Sequence, residues 1–174
     1  MAATHPPDLD HESLLRRTFD IARRARAGSD HPFGAILVDA NGRVLMEQGN
    51  AYSAEGRDMT AHAERLLASR ASKAYRPDFL ASCTLYSSAE PCAMCAGAIY
   101  WAGIGRVVYG QSEGHLKQQI GAHPDNPTLD LPCRVVFAAG QRSVAVIGPL
   151  LEDEAAALNA DFWQIPRQAR DSGL

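Results

Sequence analysis

The chain has 174 residues, with 17 Lys+Arg against 20 Asp+Glu and a formal charge of -3. A hydrophobic share of 46% and a charged share of 21% are ordinary globular values and exclude a mostly disordered chain. No apolar run approaches the roughly 18 residues that span a bilayer, the polar N-terminal stretch lacks an apolar signal core, and the slight acidic excess argues against a nucleic-acid partner. These features predict one cytoplasmic domain over 1–174, with no membrane contact and with residues 1–9 disordered.

Residues 10 to 27 predict an amphipathic helix, with Leu15, Phe19, Ala22 and Ala25 at helical spacing and Gly28 at its end. Arg16, Arg17, Arg23 and Arg24 lie largely off that stripe and read as a solvated face, balanced by Asp8, Asp10, Glu12 and Asp20. Phe33 to Val38 is a short apolar strand, Asn41-Gly42 a two-residue hairpin signal, and Val44 to Met46 the returning strand. Residues 61 to 74 predict a second helix and Cys83 to Tyr86 a third strand. Residues 92 to 102, CAMCAGAIYWA, carry no charge, follow a proline and predict a buried helix. Arg106 to Tyr109 is a fourth strand. The stretch from Gln111 to Pro132, with three prolines, reads as a long loop of the kind that is a lid, a binding loop or disordered. Residues 133 to 138 and 143 to 147 predict two further strands split by Gly140, and the last helix runs from about Glu152 to Trp163. Strands alternating with helices indicate an α/β layered fold, and a single hairpin among them makes the sheet mixed.

Two fragments carry chemistry: Thr60-Ala61-His62-Ala63-Glu64 and Glu90-Pro91-Cys92-Ala93-Met94-Cys95. Two cysteines three apart could alone be a redox pair. The H-x-E and P-C-x-x-C together, each opening a helix, are similar to the zinc deaminase signature. The physics agrees. Cys92 and Cys95 share one helix face, in a first turn whose free N–H groups and dipole favour thiolates. His62 adds a third, neutral ligand. Three protein ligands leave one tetrahedral position for water, the catalytic pattern, with one Zn2+ per chain. Two thiolates cancel the ion's charge, so its water needs a base, and Glu64, two residues from His62 and off its face, is an arm for the water and not for the metal. A closed structural site would need a fourth ligand, for which Cys83, Cys133, His115 and His123 are the candidates, none at a recognisable ligand spacing.

On HPFGAILV (31–38), TAHAE (60–64), LYSSAEPCAMCAGAIYWA (85–102) and IGRVVYG (104–110), the chain resembles the cytidine deaminase-like superfamily, in particular its bacterial guanine deaminase and tRNA adenosine deaminase branch. The resemblance runs from about Phe19 to Trp163. It implies a three-layer α/β/α sandwich with a five-stranded mixed sheet and zinc between the starts of the two motif helices. His62, Cys92 and Cys95 would be ligands, Glu64 the proton shuttle, and Asn50 a substrate holder. PCAMCAGAIYWA looks like the guanine version, in which Trp101 lies at the site, whereas residues 144–163 look more like the tRNA-specific tail. The guanine branch's acidic loop has only Glu113 as a loose counterpart. The tRNA branch's basic tail is missing, since residues 151–174 hold Glu152, Asp153, Glu154, Asp161 and Asp171 against Arg167 and Arg170.

The expected reaction is hydrolytic deamination of a free base, guanine first, giving xanthine and ammonia. Cytosine, isoguanine, an aminotriazine and tRNA adenosine stand as alternatives, and a zinc-dependent binding protein of the same fold as the non-enzyme one. Ala63 N–H and the Pro91-Cys92 backbone could bond the reacting edge, and Phe33 and Trp101 could pack on the ring. The charge-free helix at 92 to 102, which in relatives packs across a subunit interface, predicts a homodimer.

Overall fold

The computed structural model describes residues 9–123 and 126–165. The disorder expected for 1–9 therefore falls, but for Leu9, outside the described residues. Helix α1 (His11–Ala27) opens on Asp10, whose side chain accepts Ser13 N–H, and ends at Gly28. Strands β1 (Gly34–Val38) and β2 (Val44–Gly49) form an antiparallel hairpin. Its turn differs from the two-residue form expected. Gly42, at φ 85°, closes a four-residue turn from Asp39, and the Asp39 carboxylate holds the N–H groups of Asn41 and Arg43.

Helices α2 (Ala63–Ala74) and α3 (Pro77–Leu80) precede β3 (Thr84–Ala89), and α4 (Ala93–Ala102) crosses from β3 to β4 (Arg106–Gln111). Helices α5 (Glu113–Ile120) and α6 (Cys133–Ala138) follow, then β5 (Ala145–Ile147), α7 (Glu152–Ala157) and a 3-10 turn at Phe162–Gln164. The five-stranded sheet runs β2-β1-β3-β4-β5. β1 is antiparallel to both neighbours, while β3, β4 and β5 are parallel, so the sheet is mixed.

The period of two in β1 builds both cores. Ala35 and Leu37 face a core shared with α2, α4 and α6, through Leu67, Ala68, Ala96, Ile99 and Phe137. Ile36 and Val38 face the other, with Leu15, Phe19 and Ala22 of α1 and Ala155 of α7. The result is the three-layer sandwich. The α1 arginines lie on the solvated face as expected, paired with Glu12, Asp20, Glu47 and Glu154.

Three expectations are corrected. The stretch from Gln111 to Pro132 is not loop throughout, because Ser112 caps α5 by accepting His115 N–H. Residues 133–138 form a helix, not a strand. Cys133 and Phe137, four apart, are its buried residues, while Val135 between them is 53% exposed, which is helical and not strand periodicity. The last helix stops at Ala157, and the chain turns before Phe162.

Candidate active site

Both motif helices begin at a metal-ligand type. His62 is the extended residue before α2 and Cys92 the extended residue before α4. The packing of α2 beside α4 brings those starts together, and Cys95 joins them from the first turn of α4. His62 Nδ1 lies 3.7 Å from Cys92 Sγ and 3.6 Å from Cys95 Sγ. Tetrahedral bonds of about 2.3 Å to sulfur and 2.0–2.1 Å to nitrogen place such donors about 3.6 Å apart, so the trio fits zinc without rearrangement. Among the described residues it is the one such group of three or more. Cys83, Cys133, His115 and His123 do not join it: Cys83 Sγ contacts Phe79 O and His115 faces Glu152.

The electrostatics favour a cation there. The Cys95 thiol, donating to Cys92, holds the Cys92 thiol down at about 4, a thiolate at neutral pH. Cys95 is correspondingly pushed well above its ordinary value by that same bond and by burial. Burial works against a protonated His62, yet the bond to Cys92 and the charge of Glu64 raise it.

Glu64 is buried, with Oε1 receiving the Ser87 hydroxyl at 2.6 Å and Oε2 lying 3.6 Å from Cys95 Sγ. Burial raises its carboxyl above the usual range, against the pull of His62 and Ser87. A carboxyl that holds its proton more readily and stands beside the metal position can both take and return one.

His62, Glu64 and Cys92 line a cavity of about 220 Å³ off the carboxyl ends of β3 and β4, where parallel strands commonly present their sites. Phe33 lines it, as does Glu113, whose carboxyl burial pushes up to about 8 with help from the negative charges of Cys92, Glu64 and Glu90. The sequence singled out none of His31, Met59, Ala89, Glu90 and Trp163 for this wall, while Leu116, Asn126, Pro127 and Leu129 come from the 111–132 stretch read there only as a whole. Among the described residues, no Lys or Arg lines it.

Ala63 is buried at the first position of α2, where the helix gives its N–H no acceptor. Asn50 is buried and not in the cavity lining, with its N–H on Phe33 O and its Oδ1 accepting Tyr52 N–H at 2.9 Å. Trp101 lies elsewhere in this chain. It is 86% exposed and does not line the cavity. It lies nine positions after Cys92. That is roughly two and a half helical turns, which aims it away from the ligands. Trp163 takes the aromatic place instead, within a cluster holding His31, Phe33 and Phe162. Its delivery by a turn after α7 leaves no local signal in the sequence.

Residues 9–111 match the family model described as the cytidine and deoxycytidylate deaminase zinc-binding region. The chain belongs to this deaminase family. A protein of Schizosaccharomyces pombe named a probable cytosine deaminase is 39% identical over 151 residues, 87% of this chain and 91% of that one. The guanine deaminase of Bacillus subtilis is 41% identical over 95 residues, 54% and 60% of the two chains. A tRNA-specific adenosine deaminase of Haemophilus influenzae is 38% identical over 102 residues, 59% and 58%. Among solved structures, a mutant of the protein called NE0047 in complex with 8-azaguanine superposes with a TM-score of 0.72 at 29% identity, over 88% of this deaminase and 84% of that chain. The deaminase is thus a zinc-binding enzyme acting on a nucleobase or nucleoside.

Proposed function

We propose that this deaminase hydrolyses the exocyclic amine of a free nitrogen heterocycle, guanine first, releasing xanthine and ammonia. The observation that carries the reading is the buried carboxylate of Glu64 beside the His62–Cys92–Cys95 trio, in a base-sized cavity lined by no Lys or Arg among the described residues. A phosphate-bearing substrate finds no counter-charge in that lining. The 8-azaguanine complex of a similar fold supports a purine.

His62, Cys92 and Cys95 would hold one zinc. When bound, zinc supplies Lewis acidity that makes a water more acidic. Glu64 removes a proton from the attacking water and gives it to the ring nitrogen beside the amine-bearing carbon. The C–O bond forms as that carbon becomes tetrahedral. Glu64 then carries the second proton to the amine, the C–N bond breaks, and ammonia leaves. Ser87 keeps Oε1 in place, so Oε2 is the oxygen that moves protons. Ala63 N–H and the Pro91-Cys92 backbone bond the reacting edge, Phe33 and Trp163 flank the ring, and Glu113 meets its far edge.

Cytosine is the second reading, favoured by the Schizosaccharomyces pombe relative that spans most of this chain. Adenosine in tRNA fits less well, because the described cavity lining holds no Lys or Arg and residues 151–174 are acidic in balance. A binding protein without catalysis gives no reason to bury Glu64, a cost to stability.

The exposed Trp101 on a helix without charge supports a homodimer through α4. Among the described residues no helix is long and apolar enough to cross a membrane, and the four free cysteines suit a reducing cytoplasm. The test is ammonia release from guanine, cytosine, isoguanine, an aminotriazine, nucleosides and tRNA. A preference for guanine of tenfold or more in kcat/KM is expected, and a preference for tRNA overturns the reading.

A further inference from the structure

Glu90 is 5% exposed and stands at the carboxyl end of β3, just before Pro91-Cys92. Its own N–H donates to Gln111 O at 2.7 Å, so the pairing of β3 with β4 fixes its backbone. Its carboxylate is divided. Oε2 accepts the N–H of Glu113 at 3.0 Å, and Oε1 accepts the N–H of Cys133 at 2.9 Å. Those are the first residues of α5 and of α6, whose N–H groups have no acceptor within their helices. An anion between two helix starts is stabilised by both, and each bond is charge-assisted.

The chain between those two N–H groups leaves one carboxylate and returns to it. Among the described residues, five that line the cavity belong to that span: Glu113, Leu116, Asn126, Pro127 and Leu129. His62, Glu64, Cys92 and Cys95 lie outside it. One side chain therefore closes the base of the wall that faces the metal trio.

We propose that Glu90 is a positioning residue, a clasp that holds the 113–133 wall in register with the metal cleft and so governs binding of the base and not the proton chemistry. Its functional half rests on the deaminase reading above. Its structural half does not.

The test compares Glu90→Gln, Glu113→Gln and the double variant, each with its bound zinc. Glu90→Gln keeps the shape of the side chain but turns one acceptor into an NH2 donor facing an N–H donor, which frees one end of the wall. Amide hydrogen exchange should accelerate at Glu113 or Cys133 in Glu90→Gln, at both in Glu90→Ala, and not along α1. With guanine as substrate, KM should rise roughly 10-fold or more, the factor expected for a lost charge-assisted bond, while kcat and zinc content hold near wild type. In the double variant KM should rise no further than in the worse single variant, because both act through one wall. Unchanged exchange at both amides overturns the clasp. So does a fall in kcat at constant KM, loss of zinc in Glu90→Gln, or additive effects in the double variant. A wild type that releases ammonia from no base defeats the deaminase reading, and the exchange arm then decides the clasp alone.

Discussion

Ser87, inside the sheet, donates its hydroxyl to Oε1 of Glu64 on the neighbouring helix at 2.6 Å, and both side chains are buried. The pairing splits the labour of one carboxylate. One oxygen is tied to the scaffold and the other faces Cys95. Removing the hydroxyl should loosen the aim without removing the base. Ser87→Ala is expected to lower kcat roughly tenfold, the factor for one bond to a charged group, with zinc content unchanged. A kcat at wild-type level in steady-state assays shows that Glu64 is aimed by other contacts.

Glu64→Gln keeps the size of the side chain and removes its ability to accept and return a proton. General acid–base groups contribute about 10²–10⁴-fold, and here one carboxylate serves several transfers. Turnover should fall by at least that factor, with metal content and melting behaviour intact. Near-normal turnover in a zinc-replete mutant would move the base to Glu113.

Cys92→Ala leaves two ligands of three. Because metal binding at such a centre is partly folding energy, both zinc content and thermal stability should drop. Chelation of the wild type should lower its melting temperature in the same way, and added zinc should restore it. Metal analysis that finds about one zinc per chain in Cys92→Ala contradicts the assignment.

Glu152 receives the N–H and the hydroxyl of Ser112, at 2.9 and 2.5 Å, and so ties the start of α7 to the start of α5. Partial burial works against the charge, but the Ser112 bonds prevail and hold its carboxyl below the ordinary 4.5. The unfolded chain therefore takes up this proton first as the pH falls. The stabilisation is complete above 4.5 and is lost as the pH drops through the folded value. Glu152→Gln should cost about 1 kcal/mol at neutral pH. The gap from wild type should shrink in denaturant melts below pH 4.5. A gap that is constant with pH removes the carboxylate from the account.

Trp101→Glu puts a charge on the exposed apolar face of α4. Light scattering should show the wild type as a dimer at micromolar concentration and the variant as a monomer. A monomeric wild type excludes the interface.

The metal trio and Glu64 are legible in the sequence because two short fragments fix them: three-residue spacing on one helix start, and a histidine with its glutamate at another. The sandwich is legible because β1 and α1 keep clean periods of two and 3.6. The cavity's far wall is not. Arg134, Val135 and Val136 give residues 133–138 a strand-like composition, and only the four-residue spacing of Cys133 and Phe137 betrays the helix. Asn126 and Trp163 reach the cavity through chain paths that no local pattern encodes. Trp101 departs from its expected place through helix phase, which a count of turns from Cys92 corrects.

The family match stops at Gln111, one residue before the helix cap that begins the wall. On the proposed mechanism the proton chemistry precedes that point, while Glu113, Leu116, Asn126, Pro127, Leu129 and Trp163 of the cavity lining follow it. One contiguous piece of the wall, 113–133, thus lies apart in the chain from the metal motifs and meets them at Glu90. Such a division makes the enzyme a natural host for transplants. Exchanging the span between Glu113 and Cys133 for that of a relative with another base preference should retool its choice of base without rebuilding its metal chemistry.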